Sequence, residues 1–306
     1  MIGIDLGSNT ISFVLMDCET LERKKDIQRI VRTAEDLEKT GIISKKAVDR
    51  IIKAILEAQK DIDFSSNKIK AVATAALRLA KNRQEVLEEI KKETGVEFEI
   101  IDGFTEAKLT SIAVKERLKK LSLPYDNFAN IDLGGGSTEI ILQYKDEIFT
   151  KSIDVGIVTF AQKHQTLNKI KENSKKAYKE MEIFVKDIYK KYQKPSILTA
   201  TAGTPTTIAS FIKKMDYANY DYSKINGTPL STKDIQEALK KLLNLDMKER
   251  EKWVGVGRGD LIIAGIYLLI ALIELMEFDK IVVIDDSLKE GVAIKECKKV
   301  NLNKFG

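Results

Sequence analysis

Ile131-Asp132-Leu133-Gly134-Gly135-Gly136-Ser137-Thr138-Glu139 decides how this chain is read, because the same plan already opens it as Ile4-Asp5-Leu6-Gly7-Ser8-Asn9-Thr10. Each copy lies between apolar stretches, residues 1–4 and 11–16 in the first case and 128–131 and 140–142 in the second. Each therefore reads as strand, tight turn, strand. Glycine admits positive φ and lets the backbone come close to a ligand, so a Gly/Ser/Asn/Thr turn can aim N–H groups and hydroxyls at a phosphate. The acid that opens each turn repels a bare anion, and a bridging divalent cation is the natural reason for its presence. Two such turns in two halves point to a clamp on a phosphate chain.

Working outward, 306 residues with 43% hydrophobic content can build one or two cores, and the length favours two domains. Lys+Arg 51 against Asp+Glu 46 leaves a net charge of +5, which suits a polyanionic substrate without singling out nucleic acid. The longest apolar run, residues 261–273, falls short of the roughly 20 residues a membrane-spanning helix needs and reads as a buried core helix. Neither a nucleic-acid nor a membrane partner is expected. The first strand begins at Ile2, with no secretory leader expected ahead of it. Cys18 and Cys297 lie far apart in sequence with no metal-ligand spacing, which predicts free thiols in a reduced cytoplasmic protein.

Strand-like pieces alternate with amphipathic helices along the chain, the pattern of an α/β protein. A hairpin is expected over 2–17 and strands over 26–31, 70–74 and 96–101. Helices are expected over 44–61, with Ser44 as cap, and over 83–94 and 105–121, with a turn at 75–78. Residues 122–127 break the pattern and the plan restarts. After the second hairpin come a strand over 147–154, one long charged helix over 167–192 and a strand over 196–202. A third small-residue turn, Ala202-Gly203-Thr204-Pro205-Thr206, feeds a helix over 207–215. A strand over 280–285 and a helix over 287–297 finish the chain, the helix being expected to pack back on the N-terminal half.

Two halves that each open with an acidic Gly-rich hairpin resemble the actin, sugar-kinase and Hsp70 superfamily. Within it, five segments in order resemble the exopolyphosphatase and guanosine pentaphosphate phosphatase (Ppx/GppA) family. They are the two hairpin motifs, Ala73-Thr74-Ala75-Ala76-Leu77-Arg78, Ile101-Asp102-Gly103-Phe104-Thr105-Glu106-Ala107 and Ser287-Leu288-Lys289-Glu290-Gly291. The resemblance implies two actin-like (ribonuclease H-like) domains with an active-site cleft between them. The first would cover 1–122, completed by a C-terminal helix at 286–306, and the second 123–285. It is the short two-domain form of the family that the chain resembles.

The implied activity is release of terminal orthophosphate from inorganic polyphosphate by metal-assisted attack of water. Guanosine pentaphosphate hydrolysis is the alternative, followed by an ATP-dependent small-molecule kinase or a non-catalytic alarmone sensor. Glu106 is implied as general base or water-orienting residue, though a glutamate in a first helical turn is also favoured by the helix dipole alone. Asp132 and Glu139, seven positions apart, suit Mg²⁺ or another divalent cation, with Asp5 as the matching acid of the first half. Capping of their own turns is the other reading of Asp5 and Asp132. Glu139 stays open as an alternative base.

Ser8, Asn9, Thr10, Gly134, Gly135, Gly136, Ser137 and Thr138 are expected to bind substrate phosphate, with Arg78 as a planar fork of donors. Ala75 stands where many relatives place a hydroxyl. Gly203 and Thr204, with Thr201, offer further donors or are plain helix-entry residues. Arg258 and Asp260 are expected to pair with each other. Lys175, Lys179, Lys186 and Lys190 form a solvated face or a track for polyphosphate. A monovalent cation and a homodimer are left open.

Overall fold

The computed structural model describes residues 1–145 and 147–302, which fall into two compact units. One is Met1–Ala113 with the C-terminal segment from Ser287, and the other is Val114–Asp286. The boundary lies within the helix Gly103–Lys120.

The first unit carries β1 (Ile2–Leu6), β2 (Thr10–Met16), β3 (Arg23–Ile30), β4 (Ile69–Ala73) and β5 (Phe98–Ile100) in the sheet order β3-β2-β1-β4-β5. β1, β2 and β3 form an antiparallel meander, and β4 and β5 add on in parallel. The second unit repeats this with β6 (Asn127–Leu133), β7 (Thr138–Tyr144), β8 (Glu147–Ile153), β9 (Leu198–Thr201), β10 (Thr228–Ser231) and β11 (Lys280–Val283). Its order is β10-β11-β9-β6-β7-β8, again an antiparallel meander extended by parallel strands, with β10 antiparallel at the far edge. The sequence repeat is thus a repeat of topology.

Helices form where apolar spacing and caps agree. In Lys45–Asp61 the Ser44 hydroxyl accepts the Ala47 N–H, and Val48, Ile51 and Ile55 share its buried face. In Thr232–Leu243, Ser231 and Asp234 cap reciprocally and Ile235, Leu239 and Leu242 turn inward. Leu261–Leu275 is apolar nearly all round because it lies in the core of the second unit. Among the described residues no single helix is long and apolar enough to cross a membrane.

The closing helix, Leu288–Leu302, packs on β1, β2 and β4 of the first unit, as expected from the sequence. Two glycines make this possible. A Cβ on Gly3 would stand 2.3 Å from the Lys289 carbonyl oxygen, and one on Gly291 would stand 1.9 Å from that of Leu109. A buried charge cluster then ties the helix to β3. Arg23 meets Asp26 at 2.7 Å and Glu290 at 3.2 Å, while Lys289 meets Glu290 at 2.8 Å and Asp26 at 3.3 Å. Glu290 also accepts the Ser287 N–H, so the Lys289-Glu290-Gly291 motif serves packing and charge pairing.

Four expectations are corrected. Cys18 and Cys297 are bonded as a disulfide and not free, because the closing helix brings their Cα atoms to 4.9 Å despite 279 residues of separation. Residues 75–78 belong to a short helix, Ala75–Leu79. The span 167–192 is not one helix: Leu167–Ser174 ends, a 3₁₀ turn covers Lys176–Tyr178, and Lys179–Tyr192 follows. The break directs Tyr178 into the core, where its ring is fully buried. Finally, Arg258 forms no ion pair with Asp260 among the described residues. Of the C-terminal expectation, residues 303–306 lie outside the described residues.

Candidate active site

Both acidic hairpins close in the same way. The Gly7 N–H donates to the Thr10 carbonyl at 2.9 Å, and the Gly134 N–H donates to the Ser137 carbonyl at 3.0 Å. Register then sets what faces what. Asp5 stands directly opposite Ser12, and Asp132 directly opposite Glu139. Cross-strand partners share one sheet face, so the second hairpin places two carboxylates side by side at the neck of its turn. The first places a carboxylate beside a hydroxyl.

In the first unit, Ser8, Asn9 and Thr10 lie on the turn as expected. It is held by the Val31 and Arg32 N–H groups, which donate to the Asn9 carbonyl, and by the Ala34 N–H, which donates to the Ser8 carbonyl, all at 2.9 Å. Arg78, in the last turn of Ala75–Leu79, reaches Glu106. Its Nη1 donates to Glu106 Oε2 at 2.7 Å and to the Ile101 carbonyl at 3.0 Å. Glu106 itself is fixed by the start of Gly103–Lys120, where Asp102 accepts the Thr105 N–H at 2.7 Å. That bond holds the Asp102 carboxyl below its usual range, helped by the Thr105 side chain and the Arg78 charge. Arg78, expected only as a phosphate contact, thus also holds the candidate base.

In the second unit the Gly-rich turn is shaped by a segment that sequence patterns did not mark. The N-terminus of the helix Ile157–His164 donates Ile157 N–H to the Gly134 carbonyl at 3.0 Å and Val158 N–H to the Gly135 carbonyl at 2.7 Å. In a trans peptide the N–H points opposite the C=O. The Gly135 and Gly136 N–H groups therefore face away from this helix, as an anion-binding turn requires. Gly156 makes the approach possible: a Cβ there would stand 2.4 Å from Gly135 C and Gly136 N. A glycine between a strand and an apolar helical stretch was the available signal. The turn glycines were expected to supply positive φ, yet Gly7, Gly134, Gly135 and Gly136 are not among the glycines that adopt it. Close packing against the turn is what requires glycine at 156.

The ascending arm, Thr138 and Glu139, is fully buried. Thr138 donates to the Val155 carbonyl at 2.5 Å and so accepts from the Tyr178 hydroxyl at 3.1 Å. Its hydroxyl is committed to the fold. Glu139 accepts from the Ser152 hydroxyl at 2.8 Å. Burial raises the Tyr178 pKa, and the nearby Glu139 charge adds to this.

At the third turn, Ala202 adopts φ 71°, ψ −171°, a region that essentially only glycine occupies, at a cost of about 1–3 kcal/mol. The helix Gly203–Ile212 begins immediately after. Thr201 is committed to the sheet and accepts from Asn130 at 3.2 Å. Thr204 packs against Gly265, where a Cβ would meet its Oγ1 at 2.2 Å. The Thr201 hydroxyl is thus spent within the sheet, donating to the Ile131 carbonyl at 3.4 Å as well. Arg258 lies instead over Gly203, where a Cβ would meet Nη2 at 2.5 Å, and its Nη2 donates to the Thr207 hydroxyl at 3.4 Å. Burial pulls its pKa down, opposed by Tyr217 and Tyr220. A guanidinium at a helix N-terminus is chemically suited to an anion, whereas the sequence alone paired Arg258 with Asp260.

Asp132 and Glu139 are 8% and 1% exposed, and two buried carboxylates side by side repel unless a cation or proton compensates. As hard oxygen donors they fit a divalent cation. The described residues hold no group of three or more His, Cys, Asp or Glu side chains able to bind a metal.

The profile of the Ppx/GppA phosphatase family matches residues 18–300. The chain is 29% identical to the bifunctional 3-dehydroquinate synthase/phosphatase of Fusobacterium nucleatum over 96% of its own length and 46% of that protein. It is 25% identical to exopolyphosphatase 2 of Mycobacterium tuberculosis over 95% and 97% of the two chains. Against the guanosine-5′-triphosphate,3′-diphosphate pyrophosphatase of Pseudoalteromonas translucida it is 27% identical, over 94% and 57%. The chain spans less than half the length of the first curated relatives it matches. Among solved structures, the Aquifex aeolicus Ppx/GppA protein superposes with TM-score 0.74 at 28% identity, covering 98% of both chains. A Cytophaga hutchinsonii exopolyphosphatase reaches 0.84 at 23% identity over 97% of both, a likeness of fold. With a profile match over nearly its whole length, the repeated meander and both acidic turns in place, this chain belongs to the Ppx/GppA phosphatase family.

Proposed function

We propose that this protein is a divalent-cation-dependent phosphohydrolase that releases terminal orthophosphate from inorganic polyphosphate, with the 5′ γ-phosphate of guanosine pentaphosphate as the alternative substrate. The observation that carries this is the buried Asp132–Glu139 pair at the neck of a turn whose Gly135 and Gly136 N–H groups are turned outward. It is a site for cation and phosphate together.

Water attacks the terminal phosphorus, the P–O anhydride bond breaks, and the leaving oxygen stays on the remaining chain. Glu106 orients the water and takes its proton, and Arg78 holds the carboxylate in place through the 2.7 Å bond and adds positive charge for phosphate oxygens. The second unit contributes Asp132 and Glu139 as ligands, the Gly134–Gly136 turn with Ser137 and Thr138 as a backbone cradle, and Gly203 and Thr204 with Arg258 at the third turn. Ser8, Asn9 and Thr10 with Asp5 supply the corresponding donors and acid of the first unit. Mg²⁺ is the proposed cation, and when bound it neutralises the phosphoryl oxygens.

A cytoplasmic setting, also proposed, would place the Cys18–Cys297 bond against a reducing thiol pool. Alkylation and mass mapping in cells tests that placement. The function is tested by phosphate release from short polyphosphate, long polyphosphate, guanosine pentaphosphate and ATP, with Mg²⁺ and with excess chelator. Metal-dependent release from polyphosphate or pentaphosphate, with little from ATP, is expected. Tight binding without release from any of them would instead identify a sensor.

A further inference from the structure

β8 sits beside the ascending arm of the second hairpin, and its register puts Ser152 directly opposite Glu139. The Ser152 hydroxyl donates to Glu139 Oε1 at 2.8 Å. A glutamate has three rotatable side-chain bonds, and at 1% exposure its orientation is set by its protein neighbours. A hydroxyl donor on one carboxylate oxygen fixes the plane of the group. The preceding residue is fixed as firmly, with Thr138 held between the Val155 carbonyl and the Tyr178 hydroxyl. Both side chains of the arm are thus held by neighbours outside the turn.

We propose that Ser152 is a positioning residue for Glu139, setting its carboxylate for divalent-cation binding. This rests on Glu139 being a cation ligand, as given under the proposed function. The first unit shows that the feature belongs to the acid and not to the meander. There the corresponding row is Asp5, Ser12 and Gln28, and the Gln28 amide donates to a hydroxyl at 3.3 Å where no second acid stands. Groups that orient a metal ligand change metal affinity by about 10–100-fold when removed, whereas a purely structural hydrogen bond changes only stability.

The test is the Kd of Mn²⁺ alone, read by the loss of its free-ion electron paramagnetic resonance signal, with the melting temperature measured in parallel. Ser152→Ala should weaken Mn²⁺ binding about 10-fold or more, and Ser152→Thr, which keeps the hydroxyl, should restore it. In turnover, the Mg²⁺ concentration giving half-maximal rate should rise in Ser152→Ala while kcat at saturating Mg²⁺ is largely kept. If Ser152→Ala binds Mn²⁺ like the parent while Glu139→Gln does not bind, the proposal is overturned and the ligand assignment stands. If Glu139→Gln also binds like the parent, the ligand assignment falls and the proposal with it. A lowered melting temperature with unchanged Mn²⁺ affinity would mark Ser152 as structural and overturn the proposal too.

Discussion

At Asp5 and at Asp132 the chain builds one turn twice, with the same closing bond and the same seven-residue spacing to the opposite strand, yet the rows across the three strands differ. The first reads Asp5, Ser12, Gln28; the second reads Asp132, Glu139, Ser152. One backbone plan thus carries one acid in the first unit and two in the second, and only the second has the paired carboxylates that a hard cation needs. Their supports differ as well. The N–H groups of Val31, Arg32 and Ala34 hold the first turn by the carbonyls of Ser8 and Asn9, while a helix N-terminus holds the second by those of Gly134 and Gly135. One topology thus carries two sets of side chains: the Arg78–Glu106 pair stands in the first unit, and the Asp132–Glu139 pair with the Gly134–Gly136 turn stands in the second.

The largest effect should come from the group that belongs to one unit only. Glu106→Gln should keep the fold and cation binding but lower turnover by roughly 10²–10⁴-fold, read in steady-state phosphate release. Unchanged turnover would shift the base to Glu139 and erase the proposed division of labour. Next, Glu139→Gln should abolish measurable Mn²⁺ binding while Ser12→Ala leaves it unaltered, by the same resonance titration. Equal losses in the two variants would mean that the hairpins act alike.

A smaller effect is expected from Gly156→Ala, whose Cβ would overlap Gly135 and Gly136. Displacing the turn should cost about 1–3 kcal/mol in chemical denaturation and weaken phosphate binding, with no counterpart in the first unit. Smallest is the pH dependence of the Asp102 cap. Its carboxyl pKa is lowered by the Thr105 N–H, so its contribution to stability is present above the unfolded value of about 3.9 and is lost as pH falls through the lower folded value. Denaturation midpoints of the parent and Asp102→Ala should therefore differ at neutral pH and converge on acidification; a constant difference down to strongly acidic pH would contradict the cap.

Much of this was legible in sequence because it is local. Strand, turn and strand at Asp5 and Asp132, the Ser44 cap and the apolar faces of the helices all follow from short-range periodicity. So did the Asp132–Glu139 pairing, since a tight turn fixes the register of its two arms. What stayed hidden depends on segments distant in sequence. Gly156 acts on Gly135 from beyond β8, Arg78 reaches Glu106 across 28 positions, and Cys297 meets Cys18 only after the closing helix docks on β1 and β2. Periodicity also misled. Residues 167–192 keep a helical rhythm through the point where the backbone tightens, and only the need to bury Tyr178 beside Thr138 marks the break. Likewise Arg258 and Asp260, near in sequence and opposite in charge, look like a pair, while the folded loop carries the guanidinium to Gly203.

The most direct test of the two-hairpin account is the anomalous scattering of Mn²⁺ in crystals of the intact protein soaked with the ion. The account predicts a peak at inner-sphere distance from both the Asp132 and Glu139 carboxylates, lost in Glu139→Gln crystals. A peak on Asp5 with none at Asp132 would contradict it.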